Sequence, residues 1–437
     1  MVCRIMCFVA LLILLNSNVM AQNPVLSDDL ESRISNYEAQ VIEWRRDIHQ
    51  HPELGNREFR TAALVAEHLR SLGIEVETEV AHTGVVGLLK GGKPGPVVLL
   101  RADMDGLPVT ERVDVPFASR VTTVFNGQET GVMHACGHDT HVAILMGVAS
   151  VLAEVRDEIP GTIKFVFQPA EEGPPEGEEG GAEMMVKEGV LSNPDVDAAF
   201  ALHISSKLEV NTISYTPGGT YASADDFRIR VHGEQTHGAY PWNGTDPIVA
   251  SAHIITALQS IVSREMQLTE NAAIVTIGMI RGGLRSNIIP EEVEMLGTIR
   301  ALDPADRLKL HASVRRIAEY TARSFGATAE VTIPVTTAYP VTYNDHDLTA
   351  FMVPVLQEVA GADNVHHVKA EMGAEDFSFF AEIVPGFYIT LGGRPSDVAK
   401  EDAADHHTPD FYIDDSGLIL GVRAMTAMAL HYMNSNR

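Results

Sequence analysis

PVVLLRADMDG, residues Pro96 to Gly106, is the stretch on which the fold turns. Val97 to Leu100 form a short, continuously apolar run of the kind that parallel sheets bury on both faces. Two aspartates, Asp103 and Asp105, follow at its carboxyl end. Working outward, GTIKFVFQ (Gly161 to Gln168) alternates as a second strand, AAFAL (Ala198 to Leu202) is a third, and GFYITL (Gly386 to Leu391) is a fourth. Helical text surrounds them at Tyr37 to His49 and at Phe59 to Leu72, where Gly73 stands as a C-cap. It returns at Asp139 to Glu154, with Val142, Leu145, Met146, Val148, Ala149 and Leu152 on the apolar side. Strands and helices in alternation predict an α/β domain with a layered mixed sheet.

The pattern changes after Pro217-Gly218-Gly219. From about Ala222 to Thr336 the order is strand, helix, strand, strand, helix, strand. The elements fall at Asp226–His232, Asp246–Arg264, Ala273–Arg281, Glu292–Leu302, Pro304–Phe325 and Ala329–Val335. This is the order of a ferredoxin-like α+β unit. Helical text resumes at Asp345, so the larger domain is expected to be discontinuous, with parts at 22–221 and 337–437 around an insert at 222–336. The 437 residues suit two cores better than one.

Residues 1–21 read as an export signal: Arg4 is the charged start, Ile5 to Leu15 the apolar core, and Val19-Met20-Ala21 the cleavage site before Gln22. Export to a periplasm or beyond is the expectation, with no membrane association after cleavage. Of the three cysteines, Cys3 and Cys7 would leave with the signal, so Cys136 could form no internal disulfide. The formal charge of −27, from 32 Lys plus Arg against 59 Asp plus Glu, argues against nucleic acid and anionic membranes as partners.

Four segments carry residues fit for chemistry, each beside a strand end or helix start, where open α/β sheets gather their sites. They are Asp103 and Asp105; Glu171 and Glu172 in QPAEEG; His203 after the third strand; and Cys136 with His138 in MHACGHDTH. Singly each is a weak signal. Together they offer soft and borderline ligands for a transition metal, with a carboxylate to spare as base.

RRDIHQHPELG, LLRADMDGLP, MHACGHDTH, QPAEEG, FALHI, GMIRGG followed by NIIP, GTIRALDP, MGAEDFSFF and HHTP stand in one order from about Arg45 to Ala429. On these the chain resembles the metal-dependent amidohydrolases that include hippurate hydrolase, bacterial N-acyl-amino-acid amidohydrolases and plant auxin-conjugate hydrolases, within a clan of aminoacylases and metallocarboxypeptidases. The resemblance implies hydrolysis of an N-acylated amino acid or short peptide by a pair of divalent ions (zinc, manganese, cobalt or nickel). Cys136 would bridge them, His138 and His203 would complete one, and Glu172 and His407 the other. Glu171 would be the general base, with Asp103 behind the ligands to orient one of them. The insert would act as lid and dimer interface of a homodimer or higher oligomer. His237 would reach the partner subunit's active site to steady the oxyanion, and Asn287 and Arg300 would hold the substrate carboxylate. His141 has no assigned role beyond a helix-surface or orienting histidine; His49, His51 and His134 are read as structural.

The chain also departs from the family's usual text. The wider clan has His-x-Asp at Arg101-Ala-Asp103, and an aspartate at Cys136. Trp242 replaces a histidine, Ala374 replaces a serine, and Pro174 to Glu179 (PPEGEE) lengthen the loop after the glutamate pair. These bear on substrate preference and remove no ligand. A dipeptidase or carboxypeptidase with the same machinery is the nearest rival. A silent metal-dependent binding protein and a Cys136-linked interaction protein are the more distant ones.

Overall fold

The computed structural model describes residues 24–336 and 338–436; the expected export signal lies outside them. Two sheets organise the chain. Across the larger, the strands are Glu75–Val80, Gly84–Lys90, Pro160–Gln168, Lys93–Asp103, Ala198–Glu209, Gly386–Arg394, Ile213–Tyr215 and Val365–His367. The four central strands, from Pro160–Gln168 to Gly386–Arg394, run parallel. Antiparallel pairing joins the strands on either side of them. The sheet is therefore mixed, and its carboxyl ends converge in one place.

Period-two alternation divides the central strands between two cores. Val98, Leu100 and Ala102 face a large apolar cluster with Phe165, Phe200 and Ile389. Leu99 faces the opposite cluster with Val166, Ala201, Phe377 and Tyr388. By the same alternation Arg101 and Asp103 share the side of Leu99, which plants a charged pair inside the protein.

The helix His138–Glu154 departs from the amphipathic expectation, because every residue from His138 to Leu152 is buried. Its outer side is covered by Glu38–Gln50 and Leu418–Ser435, so polar positions such as Asp139 and His141 are enclosed. Asp139 is held there by Arg45 Nε at 2.9 Å and His49 Nδ1 at 2.7 Å.

The second sheet occupies residues 225–332, in the order Ala273–Gly282, Glu292–Ala301, Asp225–His232, Thr328–Thr332, antiparallel throughout. Helices Pro247–Ser260 and Pro304–Ser324 contribute Ile254, Leu258, Leu310 and Val314 to its core. This is the strand order of a ferredoxin-like unit inserted into the larger domain. The chain enters and leaves through paired segments, with Ala224 and Tyr339 exchanging backbone hydrogen bonds of 3.0 and 2.9 Å. Beside that hinge Asp225, fully buried, takes a two-pronged contact from Arg307 and lies 3.3 Å from His311.

Burial opposes the charge on Asp225, but hydrogen bonds from His311 and Arg307 hold its carboxyl below the usual range. Its contribution is therefore present above the ordinary aspartate range and lost as pH falls from that range through the lowered folded pKa. Asp225→Asn is expected to cost about 3 kcal/mol in urea unfolding at neutral pH. The gap from wild type should narrow as the acid limb is approached.

Candidate active site

Cys136 and His138 flank Gly137, whose φ of +97° turns the chain into the helix. A Cβ at Gly137 would meet Ile204 Cγ2 at 2.3 Å, so only glycine fits between the two. The Cys136 sulfur lies 3.4 Å from His203 Nε2 and 3.7 Å from His406 Nδ1. Donor atoms of Cys136, Glu172 and His407 form a second group around the same sulfur, with His407 Nε2 2.9 Å from Glu172 Oε1. His138, Glu171 and Glu172 form a third.

Of the expected ligands, all five come together, but with different neighbours. His203 pairs with His406 beside the sulfur. His138 instead faces the two glutamates and Asp103. His406, adjacent to His407 in HHTP, gave no separate signal in the sequence. Its ring reaches Cys136 because His407 N bonds to Ala135 O at 2.8 Å, seating the loop against the cysteine turn.

Asp105 emerges as the organising carboxylate, the task expected of Asp103. Its Oδ1 lies 3.2 Å from His138 Nδ1 and accepts from Glu171 N at 3.1 Å, while Oδ2 accepts from Glu172 N at 3.0 Å. One side chain thus orients a histidine and the backbone of both glutamates. Asp103 instead faces His141 Nδ1 at 2.5 Å and Arg101 at 2.6 Å, and stays 3.8 Å from His138 Nε2. His141 is buried between Asp103 and the amide of Ile204, which donates to its Nε2 at 2.8 Å. Of the two readings of His141, helix-surface or orienting, the first is excluded: its ring bridges the end of the Lys93–Asp103 strand and the middle of the Ala198–Glu209 strand.

Behind these groups Arg101 is fully buried. Its guanidinium donates to Gln168, Asp103, Glu375 and Asp376 at 2.6 to 2.8 Å. Burial opposes the charge on Asp103, but Arg101, His138 and His141 outweigh it and hold the carboxyl well below its usual range. Burial also works against a charged His138, yet Asp103 and Asp105 carry its ring up to about 10. Glu171 lies 3.8 Å from His138 Nε2, but like charges surround it. Burial, then the charges of Glu375 and Glu172, pushes its carboxyl well above the ordinary range.

Two backbone conformations add strain. Ala170, just before the glutamate pair, and His407 both have left-handed φ, at 52° and 61°. Each costs a non-glycine residue about 1–2 kcal/mol. The Ala170 turn is held by Glu58, which accepts from Ala170 N at 2.9 Å and from the Thr83 hydroxyl.

The donor chemistry fits a pair of divalent ions. A thiol, imidazoles and carboxylates converge within ligand spacing. In addition His138 Nε2 is buried without a hydrogen-bond partner and is aimed toward the Glu171 carboxylate, 3.8 Å away.

His237, Asn287 and Arg300 do not join this cluster within one chain. His237 lies in a two-residue strand, Thr236–His237, paired with Ile288–Ile289, and exposed Asn287 stands just before the latter, where Gly238 N donates to Asn287 O at 2.8 Å. Arg300 lies on the Glu292–Ala301 strand and donates to Thr298.

Sequence and structure comparisons place the chain among known proteins. The sequence model of peptidase family M20/M25/M40 matches residues 99–431. The chain is 40% identical to thermostable carboxypeptidase 2 of Saccharolobus solfataricus, over 94% of this chain and 99% of that one. It is 35% identical to N-acetylcysteine deacetylase of Bacillus subtilis, over 90% and 97%. A solved structure, the YXEP protein of Bacillus subtilis, described as a dinuclear metal binding peptidase, superposes with a TM-score of 0.75. It is 32% identical, with coverage of 92% and 99%.

Two substitutions test the supporting groups. Asp105→Ala is expected to weaken metal binding about 10–100-fold, read by chelator competition, because His138 and the glutamate loop lose their common anchor. Arg101→Met should cost about 3–5 kcal/mol in urea unfolding by leaving three buried carboxylates without their cation.

Proposed function

The chain belongs to peptidase family M20/M25/M40, and on that premise, which makes it a metal-dependent amide hydrolase, we propose that it cleaves the amide of N-acylated amino acids. The observation that carries this reading is the convergence of two donor groups on the Cys136 sulfur beside the uncompensated Glu171 carboxyl. Cys136, His138, Glu172, His203 and His407 would hold two divalent ions, which would supply Lewis-acid chemistry at the site when bound.

The chain's own groups do the rest. Glu171 takes the proton of the attacking water and returns it to the leaving nitrogen. A carboxyl kept high by burial is a stronger base than a free one, which suits it to take that proton. Asp105 keeps Glu171, Glu172 and His138 in register. The cavity beside them, about 530 Å³, is also lined by Tyr221 and Tyr339, from the two segments through which the chain enters and leaves the inserted unit. Tyr339 donates to Glu171 O at 3.0 Å, tying the hinge to the base.

The reading extends to the assembly. Trp242, Ile248, Val249, Ile280, Leu284 and Ile288 are exposed on the lid unit, and Ala273–Gly282 is the outer strand of its sheet. An apolar patch at a free sheet edge suits pairing with a second copy. In that dimer His237 would serve the partner subunit's active site, with Asn287 and Arg300 holding the substrate carboxylate. Export by residues 1–21 completes the proposal.

The name of the Saccharolobus relative favours a second reading, a carboxypeptidase acting on unblocked peptides. The experiment that separates them is hydrolysis of N-acetyl, N-benzoyl and unblocked dipeptide substrates after metal stripping and reloading with zinc, manganese, cobalt or nickel. Metal-restored cleavage of capped amino acids is expected. Cleavage confined to unblocked dipeptides would establish the peptidase reading instead.

Glu171→Gln should retain both metals while turnover falls about 10²–10⁴-fold; normal turnover would remove it as base. His237→Ala subunits should regain activity when mixed with Glu171→Gln subunits. A confirmed mixed dimer without activity would defeat action across the interface.

A further inference from the structure

Glu172 stands between two cavities. One is the space lined by Cys136, Glu171, His203 and His407. The other, about 640 Å³, has Leu54, Leu107, Val124, Phe125, Pro174 and Pro175 in its walls, with Asp105 and Glu172 at the inner end. The reaction outlined above leaves this second cleft unused, and it contains the lengthened PPEGEE loop.

Both walls are stiff. On one side Thr122–Phe125 pairs with Gln128–Gly131 through Asn126 and Gly127, both left-handed at φ of 50° and 76°. That is the preferred turn of two-residue hairpins. The hairpin carries Val124 at 69% and Phe125 at 39% exposure, apolar surface that no core accounts for. On the other side Pro174 and Pro175 restrict the loop, and Glu178 anchors it to Arg57 at 2.5 Å and Asn56 Nδ2 at 3.1 Å. A cleft with preformed apolar walls takes a ligand without first paying to order them.

Its charges are already committed. Asp105 is engaged by His138 and two backbone amides. Arg57, the cation in the wall among the described residues, is paired with Glu178. Glu176 lies at the rim. An anionic group would find no free cation here, whereas a neutral apolar group would find Val124, Phe125 and the two prolines.

We infer that this cleft is the acyl-group subsite, seating a neutral aryl or medium-length alkyl chain, with Val124 and Phe125 as specificity-determining residues. The inference rests on the amide-hydrolase reading. The cleft offers an anion no free cation among the described residues, so the carboxylate-bearing half of the substrate is assigned to the Cys136 cavity, which Tyr221 and Tyr339 border. The acyl half then extends past Glu172 into the cleft.

The test uses manganese-loaded wild type, Val124→Asp and Phe125→Ala on the N-acetyl, N-benzoyl, N-octanoyl and N-succinyl derivatives of one amino acid. Wild type is expected to prefer benzoyl and octanoyl over acetyl by about tenfold or more in kcat/KM, and to disfavour succinyl. Both variants should collapse that preference, read as the ratio of kcat/KM for the benzoyl and octanoyl substrates to that for the N-acetyl one. An unchanged preference in both variants, or equal losses on every substrate, would overturn the subsite. Calorimetric binding of the N-benzoyl compound to manganese-loaded Glu171→Gln, with and without Val124→Asp, gives a reading independent of turnover. About tenfold weaker binding is expected, and equal binding would overturn the assignment. If wild type cleaves no capped substrate, the N-acyl reading falls, and the calorimetric comparison still decides the cleft.

Discussion

Asp103, Asp105, Glu171, Glu375 and Asp376 are carboxyl groups crowded into one buried volume, and Arg101 is the permanent cation set among them. A buried carboxylate without a partner costs more than most proteins have in net stability. The structure answers by dividing one guanidinium among Asp103, Glu375 and Asp376, which joins residues 274 positions apart. That bond ties the segment after the inserted unit to the first half of the main sheet. Imidazoles take up Asp103 and Asp105, while Glu171 is left over, its negative charge disfavoured. The excess of acid is what makes the site fit for divalent cations, and it leaves one carboxyl able to carry a proton.

The same economy governs position. Asp105 spends both oxygens on His138 and the Glu171–Glu172 backbone, so a single side chain sets donors that arrive from a helix start and a loop. The loop is strained at Ala170 and restrained by Glu58 from behind. Tyr339 adds a bond from the hinge to the Glu171 carbonyl oxygen. The segment that leaves the inserted unit is thus bonded directly to the backbone of Glu171.

Much of the fold was legible because its signals are local. Continuous apolar runs marked the central parallel strands, and the changes between periods of 2 and 3.6 marked the inserted ferredoxin-like unit. Ordered motifs were enough to identify the family. The helix after Cys136 was harder: its apolar side was readable, but its complete burial comes from two helices distant in sequence. His141, read as a helix-surface or orienting histidine, is enclosed for the same reason.

The candidate site divides along the same line. Residue types and motif order by themselves nominated the side chains that the fold gathers within ligand spacing: a cysteine, histidines and a glutamate pair at strand ends and a helix start. Only the tertiary structure decided which of them touch. Asp103 and Asp105 are the same residue type two positions apart, and their tasks separate only because the Glu171–Glu172 loop folds onto one and Arg101 with His141 onto the other. His406 and the Val124–Phe125 wall were equally silent in the sequence. A hydrogen-bond partner or a cavity wall depends on residues far along the chain, whereas a residue's chemical capacity is its own.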